Sequence, residues 1–484
     1  MDLRGGDIQD YENVFIIAPG AEFPAESNVD YLFQGAIWIG ATIDTLPPQG
    51  MLDTLVSIGN DGWWANISEL FPTDQSVLSM WRDSTVADEE IWAVFSDTCT
   101  GTFVVPDPND ARPHIPLGVE VTRRSMGWSN PPDDEIFLLD YTFRNMYDQP
   151  LNDIWIGMYY DGDVMHVSQG LPGYQDDLNG FLPYGEHGIA WIADNDGDPE
   201  DGSFNSMSAR NVMGMMYLGS SETDFDVNYN WWISNINAVY DWGPRWISNG
   251  QDPFPGGGMG TPGGDKAKYH VMSNGETDYD QAYCNLARWQ NEGWIPRVPN
   301  AADLADGFDT RFLISFGEFN LEPGEVDTLT LAYIGGANLH VDPNNFENNL
   351  LGHTADENMI DEFYNNLDFS DLLAKADRAV QLYELLTDVD NDDTSTPYKF
   401  ELMQNYPNPF NASTTIEYSL AQPGDIIVSI YNIRGQKVET IFDGAKEAGR
   451  HNTIWSANDQ PSGIYFARLE TRKKSASMKL ILLK

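Results

Sequence analysis

The sequence is poor in cysteine, in positive charge and in long apolar runs. Two cysteines, Cys99 and Cys284, occur in 484 residues. That excludes a disulfide-built scaffold and a cysteine-rich metal module. One disulfide and two buried thiols both remain open, because the sequence does not fix their proximity. Lysine and arginine number 26 against 75 aspartates and glutamates, a net charge of −49. Such a chain offers no basic surface to nucleic-acid phosphates or to anionic membranes. No run reaches the roughly 18 apolar residues of a membrane-crossing helix. The opening "MDLRGGDIQDYENVF" lacks an apolar core, so an exported form is expected to have lost its signal peptide or to begin further upstream.

What the chain does have is aromatic residues, at 12%, and turn formers, with 43 glycines and 28 prolines. Those favour short strands and a folded, β-rich structure over disorder. The length points to two or three domains. The charge is divided unevenly. Residues 399–484 carry 11 basic against 8 acidic residues, whereas residues 1–398 carry 15 against 67. A shift from −52 to +3 marks separate modules.

Strand-like stretches recur along the first module: "YLFQGAIWIGATI" (31–43), "DTLVSIGNDGWW" (53–64), "LGVEVTRRSMGWS" (117–129), "DEIFLLDYTFRNM" (134–146) and "LNDIWIGMYYDGDV" (151–164). "GIAWIAD" (188–194), "VMGMMYLG" (212–219), "RFLISFGEF" (311–319) and "TLTLAYIGG" (328–336) continue the series. Many short strands with Gly/Pro turns predict a β-sandwich over about residues 1–345, with an internal boundary near residue 110 as one option. The Gly-rich "GGGMGTPGGDK" (256–266) lacks the Gly-Lys-Ser/Thr of a phosphate loop and reads as a connection.

The period then changes. Leu372, Leu373, Ala376, Ala379, Val380, Tyr383 and Leu386 recur at spacings of three and four, so residues 346–386 form the one long helical segment, with Ser370 as its N-cap, packed on the module. "TDVDNDDTSTPY" (387–398) reads as an acidic linker. Beyond it, six or seven short strands at regular spacing over 399–484 predict a small immunoglobulin-like sandwich. The fold class is therefore mainly β and multidomain: a β-sandwich N-terminal and central module with one helical segment, and a C-terminal immunoglobulin-like β-sandwich.

The last module carries a specific pattern. It begins "QNYPNPFNASTTI", with Asn405, Tyr406, Pro407, Asn408, Pro409, Phe410 and Asn411. It continues through "IYNIRGQKVETIFDG" with Gly435, "AGRHNTIWSAND" with Gly449, "SGIYFARLE" with Gly463 and Tyr465, and ends "MKLILLK" at Lys484. This stretch resembles the type A C-terminal sorting domain of the type IX (Por) secretion system over residues 400–484. One departure is Ala412, where that family usually has proline. The resemblance implies a didermal bacterium related to the Bacteroidetes and Chlorobi. It also implies passage through the type IX translocon and its sorting machinery, then release or attachment to a surface polysaccharide, with the sorting domain open to cleavage. Segments of residues 30–340 are similar to an extracellular module of unassigned activity that often precedes this domain.

The richest chemistry is acidic. Asp161 and Asp163 lie in "YYDGDVMH", Asp176, Asp177 and Asn179 in "YQDDLNGF", and Asp194, Asp196, Asp198 and Asp201 in "ADNDGDPEDG". Alternation of Asp with Gly or Asn lets several oxygens converge on a Ca²⁺ ion, which takes about six to eight of them. Asp161, Asp163, Asp176, Asp177, Asn179, Asp194, Asp196 and Asp198 are the candidate ligands of a structural Ca²⁺. Counted from Asp194, position 6 is Pro199 and position 12 is Asn205, so this is no EF-hand. The same residues also suit plain Asx turns. Seven histidines are scattered, with no His-Glu-x-x-His and no Gly-x-Ser-x-Gly. Of these, His166 and His187 flank the acidic loops and are the candidates for joining a transition metal. A carboxylate pair of a glycosidase is not excluded among 75 acidic residues, and tryptophans such as Trp155, Trp191, Trp231 and Trp232 suit either sugar stacking or a core.

The expected role is structural, adhesive or ligand-binding outside the cell, as a surface-layer, matrix or filament component that self-assembles or holds polysaccharide. The alternative is a secreted hydrolase acting on polysaccharide or protein. Limited proteolysis of the full chain is expected to cut within residues 387–400 and leave a stable fragment of roughly 85 residues. An intact linker under conditions that nick other loops would count against independent modules.

Overall fold

The computed structural model describes the chain except residues 1–20, 45–51, 60–68, 73–78, 83–86, 99–105, 108–111, 170, 186, 221–224, 235–260, 288–300, 392–400, 403–404, 406–409, 421–423, 433–436, 447–448, 458–459, 472–474 and 483–484. The chain divides into two compact units, 1–383 and 384–484.

The first unit is built on two antiparallel sheets. A nine-stranded sheet runs, in spatial order, through Asp177–Leu182, Ile189–Asp194, Val212–Gly219, Val326–Gly336, Ile136–Asn145, Val119–Gly127, Glu89–Ser96 and Phe71–Pro72, with Ser79–Arg82 also paired to Glu89–Ser96. A five-stranded sheet runs through Asp226–Ile233, Thr310–Leu321, Leu151–Asp161, Gln34–Asp44 and Leu52–Ile58. Strands from before and after residue 110 share both sheets, so a boundary there does not divide the module.

Their facing sides form one core. Val121, Phe143, Ile192, Met213, Leu331 and Tyr333 from the first sheet join Ile39, Ile156, Met158, Phe312, Ile314 and Phe316 from the second. The five-stranded sheet is also covered on its outer face. There Trp38, Trp155, Tyr159, Trp232 and Leu313 pack against Val271 and Met272 of the helix Asp265–Ser273. Burial on both faces explains why Leu151–Asp161 reads as a continuous apolar run rather than an alternation. The covering helix follows a Gly- and Pro-rich loop and was not legible from its weak apolar period.

The expected long helix is two. Glu357–Asn365 is capped by Asp356, whose side chain accepts from Asn358 N at 3.1 Å. Ser370–Asn391 follows. Ser370, the expected N-cap, is instead its first helical residue, with its N–H donating to Asp368 Oδ1 at 2.9 Å, and the helix runs on through Asn391 and takes in the first residues of the expected linker. Each further residue of an established helix adds one backbone hydrogen bond, so polar residues extend it readily. Leu372, Ala376 and Ala379 are fully buried. Leu372 sits over Gly214 and Gly336 on adjacent strands of the nine-stranded sheet; a Cβ on Gly336 would lie 2.7 Å from that of Leu372. Arg378 grips Asp133 with two hydrogen bonds, at 2.7 and 2.8 Å, and Lys375 pairs with Glu135 and Asp371.

The second unit holds a three-stranded sheet, in the order Glu401–Leu402, Ser413–Leu420, Gly449–Ser456, and a four-stranded sheet, Lys437–Lys446, Gly424–Asn432, Gly463–Thr471, Ser475–Leu482. Phe410, Ile416, Ile430, Trp455, Tyr465 and Leu480 form its core.

Removing the Leu372 side chain leaves a cavity against the sheet, so Leu372→Ala is expected to lower stability by about 2–5 kcal/mol. Gly336→Ala overpacks the same seat and is expected to cost about 1–3 kcal/mol. Urea unfolding of the full chain followed by tryptophan fluorescence checks both; an unchanged midpoint in either variant would place the helix off the sheet.

Candidate functional site

The acidic residues of the three sequence clusters gather at one end of the sandwich. Antiparallel pairing sets Asp177 opposite Asp194 in one sheet and Asp161 opposite Arg311 in the other. Asp177 stitches the two together. Its carboxylate accepts from Val164 N at 3.2 Å through both oxygens, and its carbonyl accepts from Phe308 N at 3.0 Å and from the Gln281 side chain at 3.1 Å. Asp177 is fully buried, and burial first, then the charges of Asp176, Asp194 and Asp163, push its carboxyl well above the usual range.

Two clusters of carboxylates result. In one, Asp161, Asp163 and Asp309 place oxygens within 4.8 Å of one another. This cluster holds its own counter-charge. Buried Arg311 reaches Asp161 Oδ1 with Nε at 3.2 Å and Asp309 Oδ1 with Nη1 at 2.9 Å. Asp163 is pushed up to about 8 by burial, then by Asp161 and Asp309, while Arg311 pulls it down. Asp309 and Arg311 were absent from the sequence expectation. They lie about 150 residues downstream in "FDTRF", and only the strand pairing brings them to Asp161.

In the other, Asp176, Asp194 and Asp198 place oxygens within 4.8 Å of one another. Asp194 ends its strand and caps the turn that follows. Its Oδ1 accepts from Asp196 N at 2.9 Å and from Gly197 N at 2.5 Å. Gly197 takes φ 79°, and a Cβ there would meet the His340 ring at 2.9 Å, so glycine is required twice over. Asp198 follows at φ 54°. Asn195 N donates to Asp176 O at 3.0 Å and holds the first strand's entry against the turn. The expected Asx turns are therefore present, and they use Oδ1 of Asp194 and of Asp196. They leave Asp194 Oδ2, Asp176 Oδ1 and Asp198 Oδ2 buried without a hydrogen-bond partner. Burial, then mutual repulsion, pushes Asp176 up to about 7 and Asp194 well above the usual range.

The remaining predicted residues fall elsewhere. Asn179 is committed to a buried network: its Nδ2 donates to Gln281 Oε1 at 2.9 Å and to Thr310 Oγ1, and its Oδ1 accepts from the Tyr229 hydroxyl. Asp196 accepts from Asp198 N at 2.7 Å and is not among the converging oxygens. His166 bonds Ser168, His187 packs edge-on to Tyr217, and neither joins a cluster. His340, unremarked in the sequence, contacts the Asp194 carbonyl with Nε2 at 2.9 Å, and burial pushes it down to about 4. Cys284 is buried and its thiol lies 3.6 Å from Ala301 O, while Cys99 falls outside the described residues.

In the second unit, Asn405 Nδ2 donates to Thr414 Oγ1 at 2.8 Å, and Phe410 N donates to Ile481 O at 2.9 Å. The Phe410 ring packs 5.5 Å from Trp455, and Tyr465 meets Trp455 edge-on at 5.1 Å. Tyr465 hydroxyl donates to Pro461 O at 2.8 Å. Asn411 is exposed, and Gly449 and Gly463 each open a strand. Ala412 takes φ 68°, a value closed to the proline ring. Tyr406, Pro407, Asn408, Pro409, Gly435 and Lys484 fall outside the described residues.

The family model of a secretion system C-terminal sorting domain matches residues 404–483. The chain carries that sorting tail. The tail supports export by type IX secretion and engagement of its machinery, and no helix among the described residues is long and apolar enough to cross a membrane. No curated protein matches the chain. A solved structure described as a polysaccharide lyase is similar at 7% identity and a TM-score of 0.21, over 96% of this chain and 42% of its own. The chain thus spans less than half the length of that structure.

The pH dependence of the Arg311 cluster has a definite sign. Folded, Asp163 holds its proton up to about pH 8; unfolded, an aspartate releases it near pH 4. The stability this group contributes is full below about pH 4 and is lost as pH rises to about 8. Asp163→Asn, which has no proton to lose, is expected to flatten the fall in urea midpoint between about pH 4 and pH 8. A variant that keeps the wild-type slope would rule Asp163 out as its source.

Proposed function

We propose that the chain is cargo of a type IX secretion system and that its first unit works outside the cell as a non-catalytic structural or adhesive module. The sorting tail at residues 404–483 carries this reading. An exported chain with a net charge of −49 stays soluble and repels its like, which suits a surface component held together by specific contacts rather than by collapse.

The placement of the aromatic and acidic residues supports the non-catalytic half. Trp38, Trp191, Trp231 and Trp232 are almost wholly buried, so they serve the core and not a sugar-stacking platform. Asp161, Asp177 and Asp194 are equally inaccessible and are tied into turns and strand ends. A general acid or nucleophile has to come within hydrogen-bond reach of its substrate. Surface polysaccharide and further copies of the same chain are the partners this reading assigns.

Export is tested in a bacterium with a type IX system by comparing the full chain with one lacking residues 404–483. The full chain is expected in the medium or on the surface, open to added protease, and the truncated chain in the periplasm. Equal surface delivery of both would overturn the export reading. Polysaccharide or peptide turnover by the purified chain, lost in Asp161→Asn, would overturn the non-catalytic one.

A further inference from the structure

The two carboxylate clusters at the end of the sandwich look alike in composition and differ in what neutralises them. Around Asp161, Asp163 and Asp309 a buried arginine is already in place. Around Asp176, Asp194 and Asp198 no cation of the chain makes an ion pair with any of the three among the described residues; the Asp194 carboxylate accepts from two backbone amides of its own turn, both on Oδ1. Asp194 is 1% exposed, and its second oxygen has no hydrogen-bond partner.

A buried carboxylate oxygen is costly to leave unmatched. The chain shows how it satisfies one when it has to. Asp97, also fully buried, accepts from Ser57 Oγ at 2.8 Å, Leu117 N at 2.5 Å, and Gly118 N and Val119 N at 3.0 Å each. Asp194 Oδ2 has nothing equivalent. One carboxylate oxygen of Asp194 lies instead within 4.8 Å of an oxygen of Asp176 and of Asp198, and Asp176 Oδ1 and Asp198 Oδ2 are likewise without a hydrogen-bond partner.

We propose that Asp176, Asp194 and Asp198 bind one Ca²⁺ ion, and that the Asp161–Asp163–Asp309 cluster does not. Oxygens up to 4.8 Å apart match the span across a Ca²⁺ centre, about twice a Ca–O bond of 2.3–2.6 Å. The donor set is all carboxylate, which selects a hard cation over zinc or copper. Three protein ligands on a strand entry, a strand end and a tight turn leave the other positions to water or backbone carbonyls, and the larger, flexible shell of Ca²⁺ tolerates such an irregular set where Mg²⁺ demands a near-ideal octahedron. The ion would tie Asp176 to the 194–198 turn and so pin the edge of the nine-stranded sheet. This inference is independent of the export reading: the site stands or falls on purified protein.

The test is thermal unfolding of the full chain, stripped with EDTA and titrated with calcium chloride, with magnesium chloride in parallel. A ligand that binds the folded state must raise its melting temperature in a saturable way. Wild type is expected to show a rise of several degrees with calcium and little with magnesium. Asp194→Asn and Asp198→Asn are expected to lose the rise, and Asp163→Asn to keep it. Bound calcium after dialysis is expected at one ion per chain in wild type and Asp163→Asn. Asp198→Asn, on the half-buried side of the site, serves if Asp194→Asn fails to fold. No calcium-dependent rise in wild type, an equal rise in both Asp194→Asn and Asp198→Asn, or loss of the rise in Asp163→Asn would each overturn the assignment.

Discussion

A carboxylate taken out of water has to be given a proton, a set of donors or a positive charge. The strand ends of the first unit are organised by that constraint. Asp97 is met by four donors from the chain itself, Asp161 and Asp309 by Arg311, and Asp177 by the one backbone amide of Val164, shared between its two oxygens. Each solution fixes a strand end to something distant in sequence. The polar groups thus do what the apolar core does not: they set which strand termini meet, while the core between the sheets supplies the bulk of the stabilisation.

The same constraint explains why so acidic a chain folds. Most of its excess charge is solvated, where like charges repel weakly through water and salt. Asp161, Asp177 and Asp194, all buried, have their carboxyls shifted upward first by desolvation. These three lie at one end of the sandwich, and Asp97 lies at a strand end on the opposite side, so none of them interrupts the middle of the core. The middle of the sandwich can then be packed with aromatic and branched side chains, Tyr160 stacking on Phe312 at 4.8 Å among them.

Much of this was legible in the sequence. The strands at 136–145, 151–161, 189–194, 212–219, 310–321 and 326–336 announce themselves as apolar runs between turn residues, and the start of the long helix at Ser370 follows from its period. The strand Asp177–Leu182 was hidden because "DLNGFL" reads as a polar loop; its partners, not its composition, make it a strand. The helix Asp265–Ser273 was hidden for a related reason, since its short apolar face only acquires meaning from the outer side of a sheet that needs covering. In the acidic region, residue types and proximity were readable, but the division of labour was not. Which oxygen of Asp194 a turn consumes, and that Arg311 arrives opposite Asp161, depend on register and backbone angle, and local sequence encodes neither. Asn179 illustrates the converse: it sits in the right stretch, yet its neighbours Tyr229, Gln281 and Thr310 claim it.

The strand Leu151–Asp161 lies at the centre of the five-stranded sheet, with the main core on one side and the helix Asp265–Ser273 on the other. Its amides have neighbours in the plane and side chains above and below, and no local opening brings them to solvent. They should be among the last in the molecule to exchange with deuterium, on the timescale of global unfolding rather than of breathing at the edges. That gives the first unit a protected heart, so that opening at its acidic rim does not carry the rest of the fold with it.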